Sequence, residues 1–293
     1  MTNIKQMLLC ASVTLQKWVG NKRIYTVFAI LLVFCYYTFL CLRQFAIATG
    51  VPVTAWVLPF FLSFPAMIMV FGCTSALMFC NAPFLDNQMP FLVARTGRMN
   101  FIIGQHIYVI IAAFVFNLFI TGASILILLP YVTFSSEWGH VISTLARNPG
   151  SSITYGIILS LSIDASIVDF FTPIKAMFTS FFFMWIVTVF IGIVIMMFNI
   201  ISGKLSGIVA AGSLIFFAYF SAYLGSISFG TEILYLSPLS WSSINSINFT
   251  SVGSRVPSPM YATLVLTILI LLMSLVSVYT FCKKDMDYQE WRD

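Results

Sequence analysis

Apolar residues run through this chain in long blocks, separated by short polar interruptions. A helix needs roughly 20 apolar residues to cross a bilayer core. Six blocks meet that length, near 24–42, 56–80, 101–129, 176–201, 206–224 and 260–282. The pattern predicts an all-α fold, a polytopic bundle of six transmembrane helices. Pro59 and Pro65 interrupt the second block. Each removes a backbone donor and predicts a kink that neighbouring helices must accommodate. The third block is long enough to tilt or to carry an interfacial turn.

The connections are unequal. Residues 43–55 form a short outer loop, 81–100 an inner loop, and 130–175 a long outer segment. Residues 202–205 make a tight inner turn, and 225–259 a second large outer segment. Within the first outer segment, ITYGIILSLSI (153–163) is apolar but too short to span, which predicts a re-entrant or interfacial helix. The stretch beginning at Pro238, PLSWSSINSINFTSVGSRVPSP, reads as an irregular loop over the bundle. Within it, Asn248–Phe249–Thr250 is a formal glycosylation sequon.

The ends read differently from the core. Residues 1–23 predict an amphipathic helix on the inner surface, ahead of a membrane domain over 24–282 and a polar tail over 283–293. Met7, Leu8, Ala11 and Leu15 would face lipid, with Trp18 at the interface. Lys17, Lys22 and Arg23 break the order expected of a cleavable signal peptide.

Composition strengthens the membrane reading. The chain has 293 residues, of which 60% are hydrophobic and only 8% charged. Soluble domains carry roughly 25% charged residues. Lysine and arginine near span ends favour the cytoplasmic side. An inside N-terminus places Lys5, Lys17, Lys22, Arg23, Arg95, Arg98, Lys204, Lys283, Lys284 and Arg292 inside. Only Arg43, Arg147, Lys175 and Arg255 then lie outside. Six spans return both termini to the cytoplasm. The location this implies is a cell membrane, multi-pass, of bacterial plasma-membrane type.

Catalytic and ligand motifs are sparse. The six cysteines form no CxxC pair, and His106 and His140 are far apart, so neither a metal centre nor a disulfide framework is expected. SGKLSG at Ser202 lacks the spacing of a phosphate-binding loop, and no nucleophile elbow is present. The predicted spans hold almost no carboxylates or cations, which argues against a proton-driven carrier. Thirty phenylalanines and 14 methionines supply soft apolar surface suited to an amphipathic substrate. No nucleic-acid partner is expected; lipid is.

The inner loop is the most distinctive stretch. In NAPFLDNQMPF, from Asn81, two prolines interrupt helix formation, and Asp86 and Asn87 are placed to cap a short helix near 87–95. Arg95 and Arg98 then bracket Thr96 and Gly97. Gly97 permits a tight turn, and Gly104 permits a close backbone approach as the third span begins, a candidate structural hinge. Positive-inside anchoring alone would also account for the arginines.

This layout resembles an ABC-2-type transporter permease. The resemblance rests on the Arg95–Thr96–Gly97–Arg98 element, Gly104, the tight inner turn and the larger outer segment before the last span. The long outer segment at 130–175 departs from the short connection common in such permeases. The resemblance implies a half-transporter exporting an amphipathic or hydrophobic substrate, such as an antimicrobial peptide, a lipid-like molecule or a drug. It implies a second permease chain, identical or related, and two cytoplasmic ATP-binding subunits. ATP and Mg would sit on those subunits, with no cofactor and no catalytic site on this chain. Residues 84–98 would touch the ATPase, with Phe84, Asp86, Asn87, Arg95, Thr96, Gly97 and Arg98 as the coupling residues. The alternative is a non-transporting membrane adaptor or sensor subunit.

Overall fold

The computed structural model describes residues 3–84, 89–203, 205–249 and 255–283. Among them the protein is mostly helical and spans the membrane several times. Helix α1 (Ile4–Gln16) leads through one 3-10 turn into α2 (Lys22–Thr49). A two-residue strand β1 (Val53–Thr54) and a 3-10 turn at Leu58–Phe60 precede α3 (Pro65–Phe79). Helix α4 (Met89–Thr96) abuts α5 (Arg98–Leu128), which is followed by β2 (Val132–Thr133). Then come α6 (Gly139–Arg147), α7 (Ser151–Thr154), α8 (Ala165–Phe170) and α9 (Pro173–Ser202). Helix α10 (Ser206–Phe220) continues through a π turn into α11 (Ser226–Ser228), and α12 (Pro259–Lys283) ends the bundle.

Among the described residues five units are long and apolar enough to cross a membrane: α2, α5, α9, α10 with α11, and α12. The second expected span differs. Only Pro65–Phe79 of it is helical, about 22 Å at 1.5 Å per residue. The hydrocarbon core is ~30 Å thick. Proline at the first turn of α3 sets its start, because its ring clashes with any preceding helical turn. The chain before it, from β1 to Leu62, is irregular yet buried, with Val57, Phe60 and Phe61 all nearly inaccessible. Hydropathy reads that run as span because buried irregular backbone also carries apolar side chains.

Helix α9 is the hub, packed against α3, α5, α10 and α12. Val187, Phe190, Val194, Ile195 and Met196 line its buried length. Helices α1, α4 and the end of α12 share one end of the bundle, termed here the near end, where Arg98 meets Cys282. The opposite, distal end is built from β1, β2, α6, α7, α8 and the described residues of the 225–259 segment.

The distal end departs from two expectations. Residues 153–163 are not a helix: one turn, Ser151–Thr154, is followed by irregular chain. Its backbone is tied to the bundle, as where the Ser162 N–H donates to Ser63 Oγ at 2.9 Å. Gly156, with φ +70°, breaks the turn. The described parts of the 225–259 segment, 225–249 and 255–259, are mostly short turns and irregular chain, as the composition predicts, but the part from Leu234 to Ile247 fills the bundle instead of lying over it. Three 3-10 turns, Thr231–Leu236, Ser240–Ser242 and Ile244–Ser246, bring Leu239, Trp241, Ile244 and Ile247 into the core beside α9. Trp241 is fully buried and donates Nε1–H to Leu234 O at 2.8 Å. The sequon at Asn248 extends beyond the described residues.

Candidate functional site

The near end is assembled on the first turns of α5. Helix α1 lies along them because Gly104 has no side chain. A Cβ there would stand 2.6 Å from Cys10 Cβ and 2.8 Å from Met7 O. Polar side chains complete the seam. Asn100 Nδ2 donates to Gln6 Oε1 at 2.9 Å, and Gln105 Nε2 donates to Thr14 Oγ1 at 3.1 Å. The Asn3 N–H in turn donates to Asn100 Oδ1 at 3.3 Å.

This seam corrects the expected face of α1. Met7 and Ala11 are buried with Cys10 and Thr14, Leu15 is half-buried against the core, and of the four expected lipid-facing residues Leu8 alone is exposed, beside Ile4 and Leu9. The apolar stripe was legible, but the side turned toward protein is set by the notch at Gly104. That glycine lies inside an unbroken helix over Arg98–Leu128.

Helix α4 packs on the same node. Leu92 and Val93 turn inward, and Thr96 donates to Leu92 O at 2.7 Å while lying 3.8 Å from the Cys10 thiol. Gly97, at φ +84°, makes the sharp junction into α5. Only glycine takes that conformation without a steric cost. Its N–H reaches Val93 O at 2.8 Å and its carbonyl accepts from Phe101 N–H at 3.1 Å, so one residue closes α4 and opens α5. Arg98 donates to the carbonyl of Cys282 at 3.2 Å, tying α12 to the node.

The expected site residues therefore divide. Thr96, Gly97 and Arg98 are brought together with α1 and α12. Arg95 lies on the opposite, exposed face of α4. Beside it stand Ala94 and Phe91, the latter 78% exposed. Phe84 sits apart, its ring 4.8 Å from that of Tyr108. Asp86 and Asn87 fall outside the described residues.

A second layer ties Phe84 to the helices. Tyr108 accepts from Trp18 Nε1 at 2.8 Å, and Arg23 reaches Cys80 Sγ at 2.6 Å. Asn199, near the end of α9, donates to Cys80 O and Ala82 O and accepts from Gly207 N–H. One amide thus joins the start of the inner loop to the turn between α9 and α10. The sequence reading did not single out Phe91, Asn100, Gln105, Tyr108 or Asn199. For the amides a signal existed, since polar side chains inside apolar blocks must find partners there.

A cavity of about 340 Å³ opens where α3 begins. Tyr37, Tyr219 and Tyr223 line it with Phe64, Met67 and Leu159. Tyr219 and Tyr223 stack at 6.0 Å. Phe64 to Met67, at the start of α3, form one wall of it. Among the described residues, no group of three or more His, Cys, Asp or Glu side chains is placed to hold a metal.

No protein family, curated protein or solved structure matches this chain.

Proposed function

We propose that this chain is the transmembrane subunit of an ATP-driven exporter of the ABC-2 type, with the near end facing the cytoplasm. The observation that carries the reading is α4. It is a short helix clamped on its inner side by α1 and α5, yet it presents Phe91, Ala94 and Arg95 outward. A rigid element with an aromatic anchor and a cation on its free face suits docking to a separate motor subunit. Its displacement would pass through Gly97 to α5 and through Arg98 to α12.

On this reading α3 counts as the sixth span, completed by the buried irregular chain before it. The tyrosine-lined cavity receives the apolar part of an amphipathic substrate. Two such chains and two ATP-binding subunits form the working exporter in a bacterial plasma membrane, and ATP and Mg bind the motor subunits.

The test is purification in nanodiscs from the native host, with mass spectrometry of stoichiometric partners. Capture of a cytoplasmic protein carrying a phosphate-binding loop is expected. Arg95→Glu with Phe91→Ala should cut that capture roughly tenfold, the scale of truncating an interface anchor. Both residues are exposed, so membrane insertion should be unchanged. Undiminished ATPase capture and turnover in the double variant would overturn the coupling role. Recovery with a signalling protein alone would point to an adaptor.

A further inference from the structure

We infer that the distal end carries a binding site for a cationic amphipathic peptide. This goes beyond the transport reading and does not depend on it. Two cavities lie side by side there. One, of about 470 Å³, lies between α6 and the start of α9, with Glu137, Trp138, His140, Arg147 and Asp169 on its walls. The other, of about 220 Å³, lies between α8 and the stretch 244–249, with Asp164, Asn245, Ile247 and Phe249 on its walls. Phe170 and Phe171 line both and form the ridge between them.

The ridge is rigid and apolar. Phe170 and Phe171 pack edge to face at 5.0 Å, and Phe171 meets Phe249 at 4.8 Å. Trp138 Nε1 donates to Phe171 O at 2.7 Å, fixing the ridge to α6. Phe170 is nevertheless 52% exposed. An aromatic side chain held at that exposure between two cavities offers stacking to apolar side chains on either side.

Charge selects the ligand. Three carboxylates, Glu137, Asp164 and Asp169, border the two cavities, against the single arginine Arg147. Asp169 lies 3.7 Å from Arg147, and at the same end Glu232 lies 3.8 Å from Arg255. Among the described residues Glu137 and Asp164 have no cationic partner; Asp164 spends one oxygen capping α8 through Ser166. One unpaired carboxylate therefore stands on each side of the ridge. That arrangement fits a segment whose cationic side chains alternate with apolar ones. The cations meet Glu137 and Asp164 while the apolar groups straddle Phe170.

The experiment uses the full chain in phosphatidylcholine nanodiscs, without any ATPase. Two labelled synthetic hexapeptides serve as probes, one alternating Lys with Phe and one alternating Glu with Phe, followed by fluorescence anisotropy. The Lys/Phe peptide should bind, and raising the salt from about 50 to about 300 mM should weaken it severalfold, because exposed charge pairs are screened. Glu137→Gln with Asp164→Asn should weaken it severalfold, roughly the scale of two exposed ion pairs, and flatten the salt dependence; Asn keeps the cap of α8. Phe170→Ala should weaken binding while preserving the salt slope. Equal affinity for the Glu/Phe peptide, for the charge variant or for empty nanodiscs would overturn the site, as would no binding at all. None of these results bears on whether an ATPase co-purifies, so the two proposals fail separately.

Discussion

Replacing Gly104 by alanine tests whether the notch holds α1. The added Cβ would lie 2.6 Å from Cys10 Cβ, against 3.4–4 Å for ordinary contact. Relief requires the two helices to part by ~1 Å, and a gap of that size forfeits a quarter to a half of each dispersion contact across it. The side-chain bonds from Asn100 to Gln6 at 2.9 Å and from Gln105 to Thr14 at 3.1 Å stretch with it. Each is worth about 1 kcal/mol net. Losing both gives about 2 kcal/mol, or an open population raised about 30-fold. Alanine favours the helix over glycine by ~1 kcal/mol, but that gain strengthens α5 itself and leaves the docking equilibrium untouched.

Cys10 reports the opening directly, since it is 2% exposed in the docked state. With the exposed Cys73 and the half-buried Cys282 replaced by serine, the maleimide labelling rate of Cys10 in nanodiscs tracks the open fraction. Gly122→Ala is the control in the same helix, because nothing lies within 4 Å of its added Cβ. The expected outcome is about 30-fold faster labelling in Gly104→Ala and none in the control. Equal rates in the two variants would refute the close-contact account of the seam.

Two further substitutions probe the interior. Asn199→Leu leaves Cys80 O, Ala82 O and Gly207 N–H without their side-chain partner. At about 1–3 kcal/mol for each buried group left unpaired, it should lower the melting temperature in detergent more than any surface change; an unchanged melt would show that the amide does not clamp the turn. Trp241→Ala removes a fully buried ring beside α9 and should cost about 3–5 kcal/mol. Trp241→Phe keeps most of the ring and loses the bond to Leu234 O, so about 1 kcal/mol is expected by the same melt.

Much of this architecture was legible because hydropathy reports long apolar runs directly. Helices α2, α5, α9, α10 and α12 lie where the blocks are. The junction at Gly97 was legible too, since a glycine between an arginine-bearing turn and an apolar block marks a sharp change of direction. What hydropathy cannot do is distinguish lipid from protein interior. Residues 56–62 are apolar because they are packed in protein, and they read as span. Met7 and Ala11 are apolar because they meet α5, and they read as lipid-facing. Trp241 sits in a serine-rich stretch where Ser240 donates to Ser237 O and Ser242 to Leu239 O, while the buried Ser237 hydroxyl has no partner. Those short-range bonds let polar residues enter the core, and composition gives no sign of it. At α4, the exposure of Phe91 depends on which side α1 and α5 occupy, and no local pattern carries that.

The brevity of α3 links the two ends of the molecule. Irregular backbone at membrane depth survives only where protein covers it. Here the cover comes from the distal segment, with Ser162 bonded to Ser63 and Trp138 packed on Phe60 at 5.4 Å. The same stretch then lines every cavity described above. Leu159 and Ser160 face the tyrosine-lined space, Asp164, Ser166 and Ile167 the smaller distal cavity, and Val168 to Pro173 the larger one. It ends at Pro173, the first residue of the central helix α9. A peptide seated on Phe170 would therefore bear on the chain that roofs the tyrosine cavity and on the entry to the helix that packs against four others. The 130–175 segment, longer than the connection the permease resemblance implies, is thus placed where a bound peptide would bear on the bundle without entering it.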